Sequence, residues 1–215
     1  MKSCVVIGLG RFGAEVAREL CSLGCEVLAI DTKSDAVQQM ANDVTQAVVG
    51  DSQDKEVLRA LGVRNFDCAI VAIGGNLSSS VLTTLNLKEL GVPYVVCKAH
   101  DETHRRVLVK LGADRVVIPE QEQAHRLARS ISAPNMLDYI GLSEDYGIAE
   151  VPAPKDWFDK SLVELNIRVK YGVNIIAVRR DGKTNVSLTA DFRIQKDDVL
   201  IVIGESRAME KVQKL

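Results

Sequence analysis

Charge of one sign gathers nowhere in this sequence. Its 215 residues carry 27 Lys and Arg against 29 Asp and Glu, a formal net charge of −2, and the two signs are interspersed. Nucleic-acid backbones are recognised by a clustered basic field, so DNA and RNA are excluded as expected partners. Long apolar runs are missing too. None approaches the roughly 20 residues that cross a bilayer. The run that follows Met1-Lys2-Ser3 stops at Gly8, too short for a secretory signal. A cytoplasmic chain without direct membrane insertion is expected. Cysteine is not paired: Cys4, Cys21, Cys25, Cys68 and Cys97 make an odd set without CxxC spacing. Cys4, Cys68 and Cys97 lie in strand-like runs, where a thiol behaves as a small apolar residue. A disulfide frame and a zinc site are therefore excluded, and a reducing compartment is expected.

Histidine is scarce, with three in the chain. His100 and His104 stand one helical turn apart, which suits a metal, but no third ligand is near, and both are expected on the surface. His125 falls on an amphipathic helix. No nucleophile–base pair is evident. Tyr94 and Lys98 match a YxxxK spacing used by dehydrogenases, yet they sit in an apolar strand-like run, where chance accounts for them. An enzyme is not expected; the competing reading is an NAD-dependent oxidoreductase. A redox-sensing transcriptional regulator would need a basic helix-turn-helix, which is lacking.

What is present is a regular alternation. Hydrophobic residues make up 47% and charged residues 26%, ordinary for a globular chain long enough for one large or two small domains. Near-continuous apolar runs at Cys4–Ile7, 26–30, Gln46–Val49, 68–73, 94–97 and 115–118 read as parallel strands covered on both faces. Helix patterns at 13–23, 35–41, 54–61, 77–90 and 103–111 lie between them. Four of these stop at Gly24, Gly62, Gly91 and Gly112, and Ser34 is expected to cap the second helix. Such βα units make a doubly wound parallel Rossmann sheet. A long helix follows at 120–131, ended by Ala133-Pro134-Asn135, and then a short apolar helical turn at 136–140. Strands at 148–151, 174–178 and 199–203, a short helix near Ser161–Leu165, a turn at Asp181-Gly182 and a closing helix at 207–215 define a small C-terminal α+β lobe. The expected boundaries are 1–118, 119–142 and 143–215, with dimerisation helices in the middle segment.

The first strand runs into Gly8-Leu9-Gly10-Arg11-Phe12-Gly13. Gly8 permits a tight turn, Gly10 lets a pyrophosphate approach the backbone, and Gly13 lets the helix pack close to the strand. The first helical turn offers free N–H groups and the positive end of its dipole to phosphates. Asp31, 18 residues beyond Gly13, ends the second strand. It is placed to accept both ribose hydroxyls and to repel a 2′-phosphate. An adenine nucleotide is therefore expected there. Thr32 and Lys33 are counted with Asp31, and Phe12 with the glycine loop. Asp51, beside Ser52, either bonds the base region or caps the next helix. Gly74, Gly75 and Asn76 follow the fourth strand and place small residues and backbone groups against a ligand, and Ala72 and Ile73 at that strand's end are counted with them. Arg11 is unusual inside such a loop: it either reaches a terminal phosphate, in its own or a neighbouring subunit, or is a solvated surface residue. Lys98, at a strand's C-terminal end, is placed to face a phosphate.

These motifs, with Val71-Ala72-Ile73-Gly74, Gly112-Ala113-Asp114-Arg115, Val117-Ile118-Pro119-Glu120 and Leu165-Asn166-Ile167-Arg168-Val169-Lys170-Tyr171-Gly172 followed by Asn174-Ile175-Ile176, resemble the RCK (regulator of potassium conductance) family over the whole chain. In that family such chains regulate potassium uptake systems of the Ktr and Trk type. The resemblance implies paired Rossmann lobes in a homo-octameric ring beneath a separate potassium-conducting membrane subunit, KtrB- or TrkH-like. It implies ATP or ADP, and in relatives NAD(H), at the glycine loop, with ATP favouring conduction and Arg11 touching its terminal phosphate across a subunit boundary. Glu120 matches a position holding a cation (Mg2+, Ca2+ or Na+) near the phosphates; on its own it equally reads as a helix N-terminal acid. In relatives the C-terminal lobes bind cyclic di-AMP. Leu162, Val163, Ile167 and Ile175 match its apolar positions, and Arg168 and Asn174 its polar ones, although the aliphatics also read as core.

Overall fold

The computed structural model describes residues 2–132, 138–143 and 145–213, and the chain divides into two units, Met1–Gln121 and Glu122–Leu215. In the first, six strands form one parallel sheet: β1 (Ser3–Ile7), β2 (Glu26–Asp31), β3 (Gln46–Val49), β4 (Cys68–Val71), β5 (Val95–Lys98) and β6 (Arg115–Val117). Their runs are continuously apolar because both faces are covered. Val5 and Ile7 pack with Leu58, Leu87 and Leu108 of α3 (Lys55–Ala60), α4 (Leu77–Glu89) and α5 (Glu102–Lys110). Cys4 and Val6 face the other way, onto Ala17, Val37 and Met40 of α1 (Arg11–Ser22) and α2 (Ser34–Met40). Each fully buried aliphatic side chain contributes about 1.5–3 kcal/mol. All five cysteines are free. Burial pushes the Cys4 and Cys97 thiols up to about 11, so they stay protonated at neutral pH and pack as apolar groups.

The strand order is β3-β2-β1-β4-β5-β6. It reverses between β1 and β4, and a doubly wound sheet opens a crevice beyond the strands' carboxyl ends at such a point. The corner between β1 and α1 stands there. Gly8 turns with φ +92°, and α1 then passes so close that a Cβ on Gly13 would lie 1.9 Å from the Gly8 carbonyl oxygen.

Local expectations shift at element ends. The helix α1 starts at Arg11 rather than at Gly13, because Gly10 is its extended N-cap. Ser34 is not the cap of α2; Lys33 occupies that position without a side-chain bond, and Ser34 is already helical. Asp51 is not the cap of α3 either. Asp54 holds that place and accepts from the Glu56 N–H, while Asp51 bonds the Gln53 N–H within its own loop. The fourth strand ends at Val71, leaving Ala72 and Ile73 in the turn that follows.

In the second unit, β7 (Asp138–Gly141), β8 (Tyr146–Pro152), β9 (Val173–Arg180), β10 (Lys183–Asn185) and β11 (Val199–Glu205) form an antiparallel sheet ordered β10-β9-β11-β8-β7. The expected helical turn at 136–140 is overturned over its described part: Tyr139 and Ile140 pair with Ala149 and Ile148 as an edge strand. A short apolar run carries no period of its own, so the partner strand decides. The helix expected at 120–131 is α6 (Pro119–Ser132), and the closing helix is α9 (Ser206–Gln213); residues 133–137, 214 and 215 lie outside the described residues. Trp157, Ile167, Ile194, Leu200 and Met209 form this unit's core. Beside it the fully buried Asp198 carboxylate takes both Arg180 Nε at 2.7 Å and Nη2 at 2.8 Å, with a third bond from the Gln195 N–H.

The Gly13 approach is testable by contrast with Gly10, where an added Cβ meets nothing within 4 Å. Gly13→Ala is expected to lose about 2–3 kcal/mol of unfolding free energy in urea titrations, and Gly10→Ala less than about 0.5 kcal/mol. Similar losses in both variants would contradict the close approach.

Candidate functional site

Two adjoining cavities open at the carboxyl ends of the parallel strands. The first, about 460 Å³, has Gly8, Gly10, Asp31, Asp51, Ser52 and Asn76 among its lining residues. Every strand from β1 to β4 contributes by its end or the turn after it, as the order reversal requires. The Leu9 N–H donates to Asp31 Oδ2 at 2.7 Å, and the Lys33 N–H to Oδ1 at 2.9 Å. The carboxylate is thus tied to the glycine corner, and each oxygen keeps a lone pair for a further donor. Ser52 is buried, with its hydroxyl 2.7 Å from that of Thr83 on α4. The first bond within α1 runs from the Ala14 N–H to the Gly10 carbonyl, so the preceding N–H groups of the turn are left for an anion.

The second cavity, about 620 Å³, is lined by Gly10, Arg11, Phe12, Ala72, Gly74, Gly75, Lys98, His100 and Glu120. Gly10, Ala72, Gly74 and Gly75 line both cavities. Lys98 Nζ lies 2.5 Å from Glu120 Oε1 and 5.5 Å from the Phe12 ring centre. The lysine side chain is 13% exposed, and the glutamate 68%. The hydrogen bond from Lys98 and the helix-start N–H hold the Glu120 carboxyl below its usual range, with Arg11 adding a smaller pull. Arg11 is exposed and has no ion-pair partner among the described residues.

The structure therefore brings Gly8, Gly10, Asp31, Thr32, Lys33, Asp51, Ser52, Ala72, Ile73, Gly74 and Asn76 to one cavity and Arg11, Phe12, Lys98 and Glu120 to its neighbour. Gly13 lines neither and supports the corner from below. The six C-terminal candidates also meet. Leu162, Val163, Ile167, Arg168, Asn174 and Ile175, with Asn166 and Val173, line a 230 Å³ cavity where α7 (Leu162–Leu165), α8 (Ile167–Tyr171) and β9 converge. A capping box between Ser161 and Glu164 starts α7, and Asn166, at φ +45°, breaks it from α8. Ile167 belongs to the core while Val163 is exposed, so these aliphatics divide between packing and lining.

Sequence reasoning missed Gly50, Gln53, Ser79 and His100 as lining residues; their positions just past strand ends or at a helix start were the available signal. It also misplaced His104. This ring is 2% exposed, with Nε2 3.2 Å from Ser80 Oγ and Nδ1 2.9 Å from that of His100. The face of α5 that carries His104 and Leu108 is buried, with His104 against Ser80 of α4. Among the described residues no group of three or more metal-ligating side chains forms, and Glu120 supplies one carboxylate by itself.

Fold and cavities define the class: a Rossmann module with a glycine corner, followed by a small α+β lobe. The chain belongs to the family of TrkA-N and TrkA-C domain proteins, with the TrkA-N model matching residues 4–119 and the TrkA-C model residues 148–215. It is 45% identical over 213 residues to the Ktr system potassium uptake protein C of Bacillus subtilis, covering 99% of this chain and 96% of that protein. It is 40% identical over 212 residues to the Ktr system potassium uptake protein A of the same organism, again covering 99% and 96%. Among solved structures the GsuK RCK domain superposes with a TM-score of 0.68 at 19% identity, covering 100% of this chain and 47% of that one; the fold is thus the RCK fold.

Burial, with a smaller push from His100, lowers the His104 pKa against an opposing pull from Asp101. The unfolded chain then takes up a proton that the folded chain refuses. Stability from His104 is present above about pH 6.5 and lost as pH falls through that value. Urea midpoints at about pH 7.5 and about pH 5.5 are expected to fall further in the wild type than in His104→Gln; equal falls would remove His104 as the source.

Proposed function

We propose that this chain is the cytosolic regulatory subunit of a membrane potassium uptake system, and that an adenine nucleotide at the Gly8–Gly13 corner sets that system's state. The observation that carries the reading is the 45% identity, over nearly its full length, to a Ktr system potassium uptake protein. Potassium passage belongs to a separate membrane-embedded subunit; among the described residues no helix is long and apolar enough to cross a membrane. The chain binds and gates rather than catalyses.

The cavity chemistry supports ATP and ADP, with NAD(H) as the other ligand of this class. Asp31 takes the ribose hydroxyls, with Thr32 and Lys33 beside it, and Asp51 and Ser52 meet the base end. Gly8, Gly10 and Gly13 admit the phosphates, and Ala72, Ile73, Gly74 and Asn76 wall the opposite side. Arg11, Phe12 and Lys98 meet the terminal phosphate. Glu120 supplies a carboxylate to a cation (Mg2+, Ca2+ or Na+) whose remaining ligands are phosphate oxygens. Residues 1–118 form the nucleotide lobe, the helix at Pro119–Ser132 pairs subunits, Asp138–Gly141 joins the C-terminal sheet, and 143–215 form a lobe that takes cyclic di-AMP between Leu162, Val163, Ile167, Arg168, Asn174 and Ile175. Nucleotide lobes pair within an octameric ring.

A ligand shifts an assembly only through a contact that differs between its states. A third phosphate that reaches Arg11 across a subunit boundary is such a contact, and ADP lacks it. ATP and ADP are expected to compete for one site in calorimetric titrations and to produce different ring dimensions in solution scattering. Arg11→Ala is expected to abolish that difference while retaining ADP binding. Identical dimensions with both nucleotides in the wild type would refute the bridging role.

A further inference from the structure

The phosphate-side cavity contains a titratable ring that the reading above does not use. His100 lines it together with Arg11, Lys98 and Glu120. Behind His100 stands a chain of polar contacts that constrains which ring nitrogens donate. His104 Nδ1 lies 3.4 Å from the His100 main-chain N–H and accepts from it, so this nitrogen carries no hydrogen. The 2.9 Å contact between the two Nδ1 atoms then requires the hydrogen on His100. On its other side, His100 Nε2 faces Asp101 Oδ2 at 3.1 Å. The Asp101 carboxyl is held below the usual range, chiefly by the His104 N–H, and an ionised carboxylate only accepts. Hydrogen on His100 Nδ1 satisfies the ring–ring contact, and a second hydrogen on Nε2 would set a cation beside the Asp101 carboxylate. The buried neighbour of His100, His104, is the neutral ring, with its hydrogen on Nε2 facing Ser80 Oγ.

We propose that His100 is a proton-dependent cation of the phosphate end of the nucleotide site, oriented by Asp101 and His104, and that it strengthens the site's preference for a third phosphate. The inference rests on the nucleotide reading and adds a regulation to it. The groups facing His100 are Asp101 and His104 on the α5 side and, across the cavity, Arg11 from α1, Lys98 from β5 and Glu120. With His100 charged, three cations stand against Glu120 and Asp101; with it neutral, two remain. Imidazoles change charge between about pH 5 and pH 8, so cytosolic acidification enters the same cavity that reads the nucleotide. His104 acts as a positioning residue: it touches no ligand but fixes which ring bears the extra proton.

The test measures ATP and ADP dissociation constants of the full chain at about pH 6 and about pH 8 in wild type, His100→Gln and His100→Arg. The titration of the nucleotide's own phosphate is common to all three proteins and cancels when their pH ratios are compared. The wild type is expected to gain ATP affinity on acidification, relative to His100→Gln, by about three- to tenfold, and ADP affinity by less. His100→Arg is expected to hold its low-pH advantage over His100→Gln at both pH values. A purely structural role would lower the unfolding midpoint of the variants and leave the pH ratio unchanged. One shared pH ratio in wild type and His100→Gln overturns the inference while leaving the nucleotide reading intact. Failure of the wild type to bind ATP at either pH overturns that reading and this inference with it.

Discussion

Of the glycines in the first unit, Gly13 has the tightest surroundings, where α1 passes the turn after β1. With no side chain at Gly13, the helix lies against the Gly8 carbonyl, and its unpaired N–H groups end at the crevice where the strand order reverses. The Leu9 N–H, held in that corner, is what Asp31 grips from the neighbouring strand. The carboxylate's place, the access to the helix start and the shape of the first cavity thus share one constraint. A single Cβ at that point would displace all three together.

Around the corner the charges are arranged by depth. Lys98 is nearly covered and paired with Glu120, while Arg11 stands in solvent without an ion-pair partner among the described residues. A paired, half-buried lysine is a local counter-ion. An unpaired exposed arginine is free to meet a group on another molecule, and its guanidinium fits a phosphate in bidentate fashion. The two cations therefore suit different tasks, one within the lobe and one at its boundary.

The fourth helix carries this arrangement inward. Its buried Ser80 and Thr83 sit one turn apart, the first facing His104 and the second Ser52. Hydroxyls in a helix interior are tolerated when each finds a partner. Here the partners lead, through His100, to the cavity lined by Arg11 and Lys98 in one case and to the cavity lined by Asp31 and Asp51 in the other. The polar seam on α4, which packs on β4 and β5, thereby holds side chains toward both cavities without breaking the apolar core.

The sequence alone determined the parallel sheet, its helices and the glycine corner, because continuous apolar runs, helix-stopping glycines and GxGxxG are local patterns with a direct physical cause. Asp31 was legible for the same reason: it ends a strand whose register the pattern already implied. Only the tertiary structure decided what depended on partners distant in the chain. Tyr139 and Ile140 became a strand because β8 lies beside them, a pairing that a short apolar run cannot announce. Asp54, three residues past Asp51, took the capping role because α3 begins at Lys55. The packing of α5 on α4 turned His104 inward and left His100 at the cavity, since burial is a property of neighbouring elements and spacing along one helix does not contain it.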